Sequence, residues 1–411
     1  VTMSGAAALS PAEVLGIQRR TVAVLGAGQV LGGVAFGSTV SLGALLAADL
    51  SGQDSLSGLA TASVTLGASL CAIPLARLAA RRGRRTALTI GNVLALIGIG
   101  VVITAAALRL FPLLLVGVIL IGAGNAGNLQ SRFAATDLST ADRRGRDLGS
   151  VVWATTVGGV LGPLLLTPGE AVGAFLGMPQ LTGSYAFSLV AQSLALVLYL
   201  VGLRPDPLRT AQRLARGSSA GPKIAVETDA PRTARYAMFA VAGSHVVMAS
   251  VMAMTPVHLS HLAPDQVTTV VGVTIALHVF GMYGLSPVFG MLADRWGRMP
   301  TILLGQGILA ASLITAAVLP QSQWAVLVAL LLLGLGWSAA TVAGAALLTE
   351  STVAELRPKR QGVSDTIMTA SAAVGAVLAG LILGWIGYGG LALVALLVVA
   401  SVTALAPYAR R

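Results

Sequence analysis

Apolar stretches of about 20 residues recur along this chain, and that feature restricts it to folding within a bilayer. A helix needs about 20 apolar residues to cross a hydrocarbon core of ~30 Å. Such stretches fall near 22–48, 56–78, 86–108, 111–134, 148–167 and 182–203, then near 234–258, 266–292, 300–320, 324–348, 363–386 and 388–406. Only 10% of the residues are charged, against roughly a quarter in a soluble domain. Lipid offers no partner to a free backbone N–H or C=O, so each crossing must be helical. The pattern predicts an all-α membrane protein with twelve transmembrane helices. The first twenty residues, with Glu13, Arg19 and Arg20, read as a short cytoplasmic lead-in rather than a signal peptide.

A sequence pI of about 10.9 ordinarily suggests a nucleic-acid partner. Here the charge is topological. With both termini inside, 25 of the 26 Lys and Arg residues fall on the inner side, among them Arg81, Arg82, Arg84, Arg85, Arg143, Arg144 and Arg146. Only Arg109 falls outside, so the positive-inside rule fixes the orientation. The outer side carries Asp49, Asp54, Glu170 and Asp265 and is mildly acidic. The expected surroundings are the bacterial inner membrane, with no nucleic acid bound and the chain acting as a monomer. The single cysteine, Cys71, excludes an intrachain disulfide and a cysteine cage for metal. No nucleophile–base pairing or phosphate loop stands outside the spans, so the chain is not read as an enzyme and no cofactor is expected.

Residues 204–232 are rich in Pro, Arg, Ser and Gly and read as a cytoplasmic linker. It divides a six-helix half at 1–203 from a second at 233–411. The halves repeat with an offset of about 213 residues: Gly122 and Gly124 answer Gly334 and Gly336, Gly83-Arg84 answers Gly297-Arg298, and Asp137 answers Glu350. Two pseudo-symmetric halves with a central inner loop are the layout of alternating-access carriers.

The run Gly290-Met-Leu-Ala-Asp294-Arg295-Trp-Gly297-Arg298 resembles the loop signature of the major facilitator superfamily. That resemblance implies the major facilitator fold, with Asp294, Arg295 and Arg298 as a gating latch on the inner face. The first-half copy has Ala80 where the Asp belongs, so Asp137, Asp142 or Asp147 would supply the missing charge. Span 5 carries Gly149, Gly158, Gly162 and Pro163, most of the pattern of the family's antiporters, with Leu166 and Thr167 in place of its terminal glycine pair. Gly158 and Gly162 allow close helix packing, and Pro163 bends the span.

Ionisable residues within spans are expensive and therefore usually functional. The first half holds no deep carboxylate; its polar span residues are Gln29, Asn125, Asn128 and Arg132. Asp365 and Glu350 are the proton-sensitive candidates, with membership of the inner charge network as the simpler alternative. All four histidines lie between positions 245 and 278, and seven of the ten methionines lie between 238 and 299. His245, Met248 and Met252 are spaced three and four apart and share a helix face; His278 and Met282 share another. His258 and His261 stand near the outer end of span 7, and Pro256 is expected to bend that span. Thioether and imidazole groups are soft neutral ligands that suit Cu(I). Methionine also fills irregular apolar cores, where such spacings are ordinary.

Met248-x-x-x-Met252 and His278-x-x-x-Met282 resemble the signature of the CcoA-like bacterial copper-importing permeases, as do Ser286-Pro287 and Gln361-Gly362-x-x-Asp365. The resemblance implies that the chain imports Cu(I), as substrate, through Met248, Met252, His278 and Met282. His258 and His261 would collect it outside, and a cytosolic copper acceptor would receive it. The alternative is a proton-coupled exporter of lipophilic drugs or metabolites. On either reading the second half carries the solute chemistry, and the first is the wall against which it rocks.

Overall fold

The computed structural model describes residues 10–139, 144–216, 229–352 and 357–410. Among them every regular element is helical. The first half comprises α1 (Pro11–Ser51), α2 (Gly58–Arg82), α3 (Arg84–Leu108), α4 (Phe111–Ala134), α5 (Arg144–Leu164), α6 (Leu166–Phe175) and α7 (Ser184–Gly202). A short α8 (Pro207–Arg216) follows. The second half comprises α9 (Pro231–Leu262), α10 (Val267–Tyr283), α11 (Ser286–Trp296), α12 (Arg298–Val318), α13 (Gln323–Glu350) and α14 (Arg357–Ala404).

Nine described stretches are helical, long and apolar enough to cross a bilayer, or ten with the bent α5–α6 pair. The apolar Phe111–Gly127 part of α4 adds one more. At 48 residues α14 would extend about 70 Å, more than twice the hydrocarbon core. Gly387 divides it: its φ of 72° and ψ of −178° suit glycine and break the helix where the sequence separates the last two spans. With α4 included and α14 counted as two, the described passes come to about twelve, close to the number expected.

Local chemistry sets the other boundaries. Ser10 and Glu13 form a reciprocal capping box before Pro11, so the presumed lead-in is already helical from residue 11. Gly52, with φ of 70°, ends α1 by donating to the Ala48 carbonyl. Pro163 lies one residue before the α5–α6 break, and the two segments bend by 52°. By contrast, α9 runs from Pro231 to Leu262 without a break at Pro256. The segment expected as a plain linker contains α8, because Pro207, Thr210 and Leu214 turn inward while Arg209, Gln212 and Arg213 remain exposed.

Close packing between helices relies on missing side chains. A Cβ on Gly158 would stand 2.2 Å from the Val30 carbonyl oxygen, and one on Gly162 would stand 2.6 Å from that of Val34. Gly33 and Gly37 of α1 meet these same two positions of α5. The halves approach each other along α5–α10 and α2–α14, with α1 facing α9. Gly272 lies against the Pro163 carbonyl, Gly380 against that of Ser55 and Gly58 against that of Ala376. By chain direction these approaches lie toward the outer side. The ion pairs described on the inner face each stay within one half. Among the described residues, the close backbone approaches between the halves therefore lie toward the outer side.

Candidate functional site

Three helices of the second half bring aromatic side chains together. Trp337 of α13 donates its Nε1–H to His245 Nδ1 of α9 at 2.9 Å. Its ring also meets Tyr283 of α10 edge-on, with centroids 5.8 Å apart. His245 and Tyr283 remain half-buried, whereas Trp337 is buried. Because Trp337 can only donate, His245 Nδ1 accepts, and the neutral ring carries its proton on Nε2.

His278 has the opposite arrangement. It is fully buried on α10, and its Nδ1 lies 2.7 Å from the Leu330 carbonyl, which can only accept. The proton therefore sits on Nδ1, leaving a lone pair on Nε2, and among the described residues Nε2 has no partner. The α10–α13 approach needs Gly334, where a Cβ would fall 2.3 Å from the His278 carbonyl oxygen. Of these two rings, His245 keeps a ring N–H to donate and the buried His278 keeps a lone pair to accept.

Met248 and Met282 are buried in one contiguous apolar cluster, and the half-buried Met252 packs against it. Met282 lies one turn beyond His278 on the same helix, and Met248 is only 2% exposed. Among the described residues no three His, Cys, Asp or Glu side chains gather as they would around a hard cation.

The outer histidines are engaged by protein groups. His258 Nε2 donates to the Pro320 carbonyl at 2.6 Å, and the ring stacks on Tyr388 with centroids 4.3 Å apart. His261 Nε2 lies 2.6 Å from Asp54 Oδ2, joining the end of α9 to the turn between α1 and α2. An outer cavity of about 420 Å³ adjoins this link and is lined by Asp49, Asp54 and Ser260.

On the inner face the two repeats build matching clusters. Arg298 binds both Asp294 and Glu350, the latter at 2.7 Å. Arg84 binds Asp137 at 2.9 Å. Gly83 and Gly297 precede these arginines with φ of 93° and 97°, which explains glycine at both repeats. Burial raises the Asp137 carboxyl above its ordinary pKa, while the Arg84 guanidinium opposes that rise.

Of the three acids considered for the missing first-half charge, Asp137 pairs with Arg84. Asp147 instead accepts from Gln18 Nε2 and Ser139 Oγ, and Asp142 lies outside the described residues. Sequence reasoning missed Asp206, which accepts from the Arg85 backbone N–H at 2.8 Å and lies where a Cβ on Gly83 would fall. It also missed Trp337, whose only sequence signal is its place just past the repeated Gly334 and Gly336. Arg295 and Asp365 are exposed. The side chain of Arg132 lies outside the described residues.

Residues 25–283 and 237–411 match the family model described as Major Facilitator Superfamily. The chain is 35% identical over 391 residues to the "Uncharacterized MFS-type transporter YdeG" of Bacillus subtilis, covering 94% of this chain and 90% of that one. It is 29% identical over 384 residues to the "Riboflavin transporter RfnT" of Brucella anthropi, covering 89% of this chain and 90% of that one. Among solved structures, a POT family transporter in complex with 5-aminolevulinic acid superposes with a TM-score of 0.71 at 14% identity, over 95% of this chain and 97% of that one. The chain is a multi-pass membrane protein that belongs to the major facilitator superfamily of secondary transporters.

Proposed function

We propose that the chain carries a planar aromatic organic solute, held in the second half by Trp337, Tyr283 and His245. The observation that carries this reading is the convergence of those three rings from α13, α10 and α9. Solute sites are mostly apolar with a few placed polar groups. Aromatic faces supply area, and the His245 donor suits an acceptor nitrogen or oxygen of a heterocycle. The partial exposure of His245 and Tyr283 leaves them reachable. The relative named as a riboflavin transporter adds support and supplies a probe. This narrows the lipophilic-metabolite alternative to aromatic heterocycles.

Riboflavin binding to the purified full chain, followed by quenching of flavin fluorescence, tests the proposal. Trp337→Ala is expected to weaken binding at least about ten-fold, as befits loss of one stacking partner and one hydrogen bond. Equal affinity in the variant would sink it.

A second reading, inward transport of Cu(I) as substrate, is favoured by a different observation. Among the described residues His278 Nε2 is unpartnered, Met282 lies one turn further along the same helix and Met248 is buried on α9; imidazole and thioether make a soft ligand set. It ranks second because the methionines are packed into an apolar cluster and His245 Nδ1 already accepts from Trp337. Cellular accumulation of radiolabelled copper is then expected to fall in Met248→Ala and His278→Ala. Accumulation unchanged in both would remove this reading.

A further inference from the structure

A cavity of about 400 Å³ opens at the inner end of the first half, walled by Arg82 of α2, Arg85 of α3, Arg204 after α7, and Arg209 and Arg213 of α8. One carboxylate, Asp206, shares this lining, so the formal balance is five positive charges less one negative, or +4. That carboxylate is already occupied: its oxygens accept from the backbone N–H groups of Arg85 and Arg209, at 2.8 and 3.2 Å. Among the described residues none of the five guanidinium groups forms an ion pair with a carboxylate. Converging arginines left in this state repel one another, and an anion entering the pocket would relieve that repulsion. Guanidinium groups suit phosphate oxygens in particular, since each presents a planar fork of donors.

The pocket also has a fixed relation to the bilayer. On α7, Val190, Leu194, Val197 and Val201 are spaced four, three and four apart and are 54% to 67% exposed. They form one apolar stripe that faces lipid and leads directly to Arg204. On α3, Ile90, Val93 and Ile97 are likewise exposed a turn or more beyond Arg85 and Thr86. The cations thus sit where two lipid-facing stripes reach the inner interface. Basic pockets between helices on the cytoplasmic side are suited to anionic headgroups.

We propose that this pocket binds the headgroup phosphate of an anionic phospholipid of the inner leaflet, with its acyl chains lying along the exposed stripe of α7. A soluble phosphate would satisfy the arginines but would gain nothing from that stripe. The site is distinct from the aromatic cluster and does not depend on the nature of the transported solute.

Native mass spectrometry of the detergent-purified full chain tests this, with phosphatidylglycerol, phosphatidylcholine and inorganic phosphate as separate probes. Phosphatidylglycerol is expected to be retained well above phosphatidylcholine, and millimolar phosphate is expected not to displace it. Arg209→Gln combined with Arg213→Gln changes two exposed positions and should lower retention about ten-fold or more. Arg82→Gln, on the opposite wall, gives an independent decrease should the α8 variant fail to fold. Arg19→Gln combined with Arg20→Gln removes equal charge on α1, outside the pocket, and should have little effect. Equal retention of the two lipids, displacement by phosphate, or an equal loss in the α1 variant would each overturn the assignment.

Discussion

Arg84 and Arg298 occupy equivalent places in the two halves but carry different burdens. The Arg84 and Asp137 side chains are 15% and 10% exposed, whereas Arg298 and Glu350 are 22% and 54% exposed. Removing one partner of a buried pair costs roughly 3–5 kcal/mol, because the other charge is left without compensation. A pair open to water contributes about 0–1 kcal/mol. Arg84→Gln should therefore lower the melting temperature in detergent far more than Arg298→Gln. The first variant should also respond to pH. A carboxyl whose folded pKa is raised favours the folded state at low pH, and that contribution is lost as pH rises through the folded value. Without Arg84 the elevation caused by burial acts unopposed on Asp137. Arg84→Gln should therefore recover stability on acidification from pH 7.5 to 5, and Asp137→Asn in the same background should abolish that recovery. A melting temperature of Arg84→Gln that does not depend on pH would refute this account.

At the scale of elements, adjacent glycines of α5 serve different neighbours. A Cβ on Gly158 would meet the α1 backbone at Val30, which cannot yield without moving the helix. A Cβ on Gly159 would meet the Val279 side chain of α10, across the seam between the halves, at 2.7 Å. Gly158→Ala should cost about 1–3 kcal/mol, the usual range for overpacking, and show as a lower melting temperature. Gly159→Ala should melt nearly normally and instead favour separation of the outer ends, read as faster thiol labelling of a cysteine placed at Thr269. The reverse ranking would refute this assignment of faces. Much of this architecture was legible: twenty-residue apolar runs specify crossings, Pro163 marks the bend, and the Gly–Arg repeat anticipates the two inner clusters. The ten-residue α8 was not, because its two-sided pattern is hidden in a segment rich in breakers and charge. Nor was the Trp337–His245–Tyr283 group, since sequence gives the face of each helix but not how three helices turn toward one another. Helix rotation also decides which His278 nitrogen is free, which no spacing rule can supply.

For the whole molecule, the outer ends of the two halves are held by close backbone approaches, by Thr167 with Thr269 at 2.9 Å, and by His261 with Asp54. The His261–Asp54 contact is exposed, at 64% and 42%, so as a stability term it is worth at most about 1 kcal/mol. Its leverage lies elsewhere. A carrier alternates between states separated by a few kcal/mol, and a change of ~1 kcal/mol alters their ratio about five-fold. A contact made between the halves when the outside is closed, and broken when it opens, therefore acts on populations with little effect on folding. Asp54→Asn should leave the melting temperature within about one degree while shifting the outer-end distance distribution toward longer values. Double electron–electron resonance between spin labels on α2 and α14 would measure that shift. A distance distribution unchanged in Asp54→Asn would show that the other outer contacts suffice to keep that side closed.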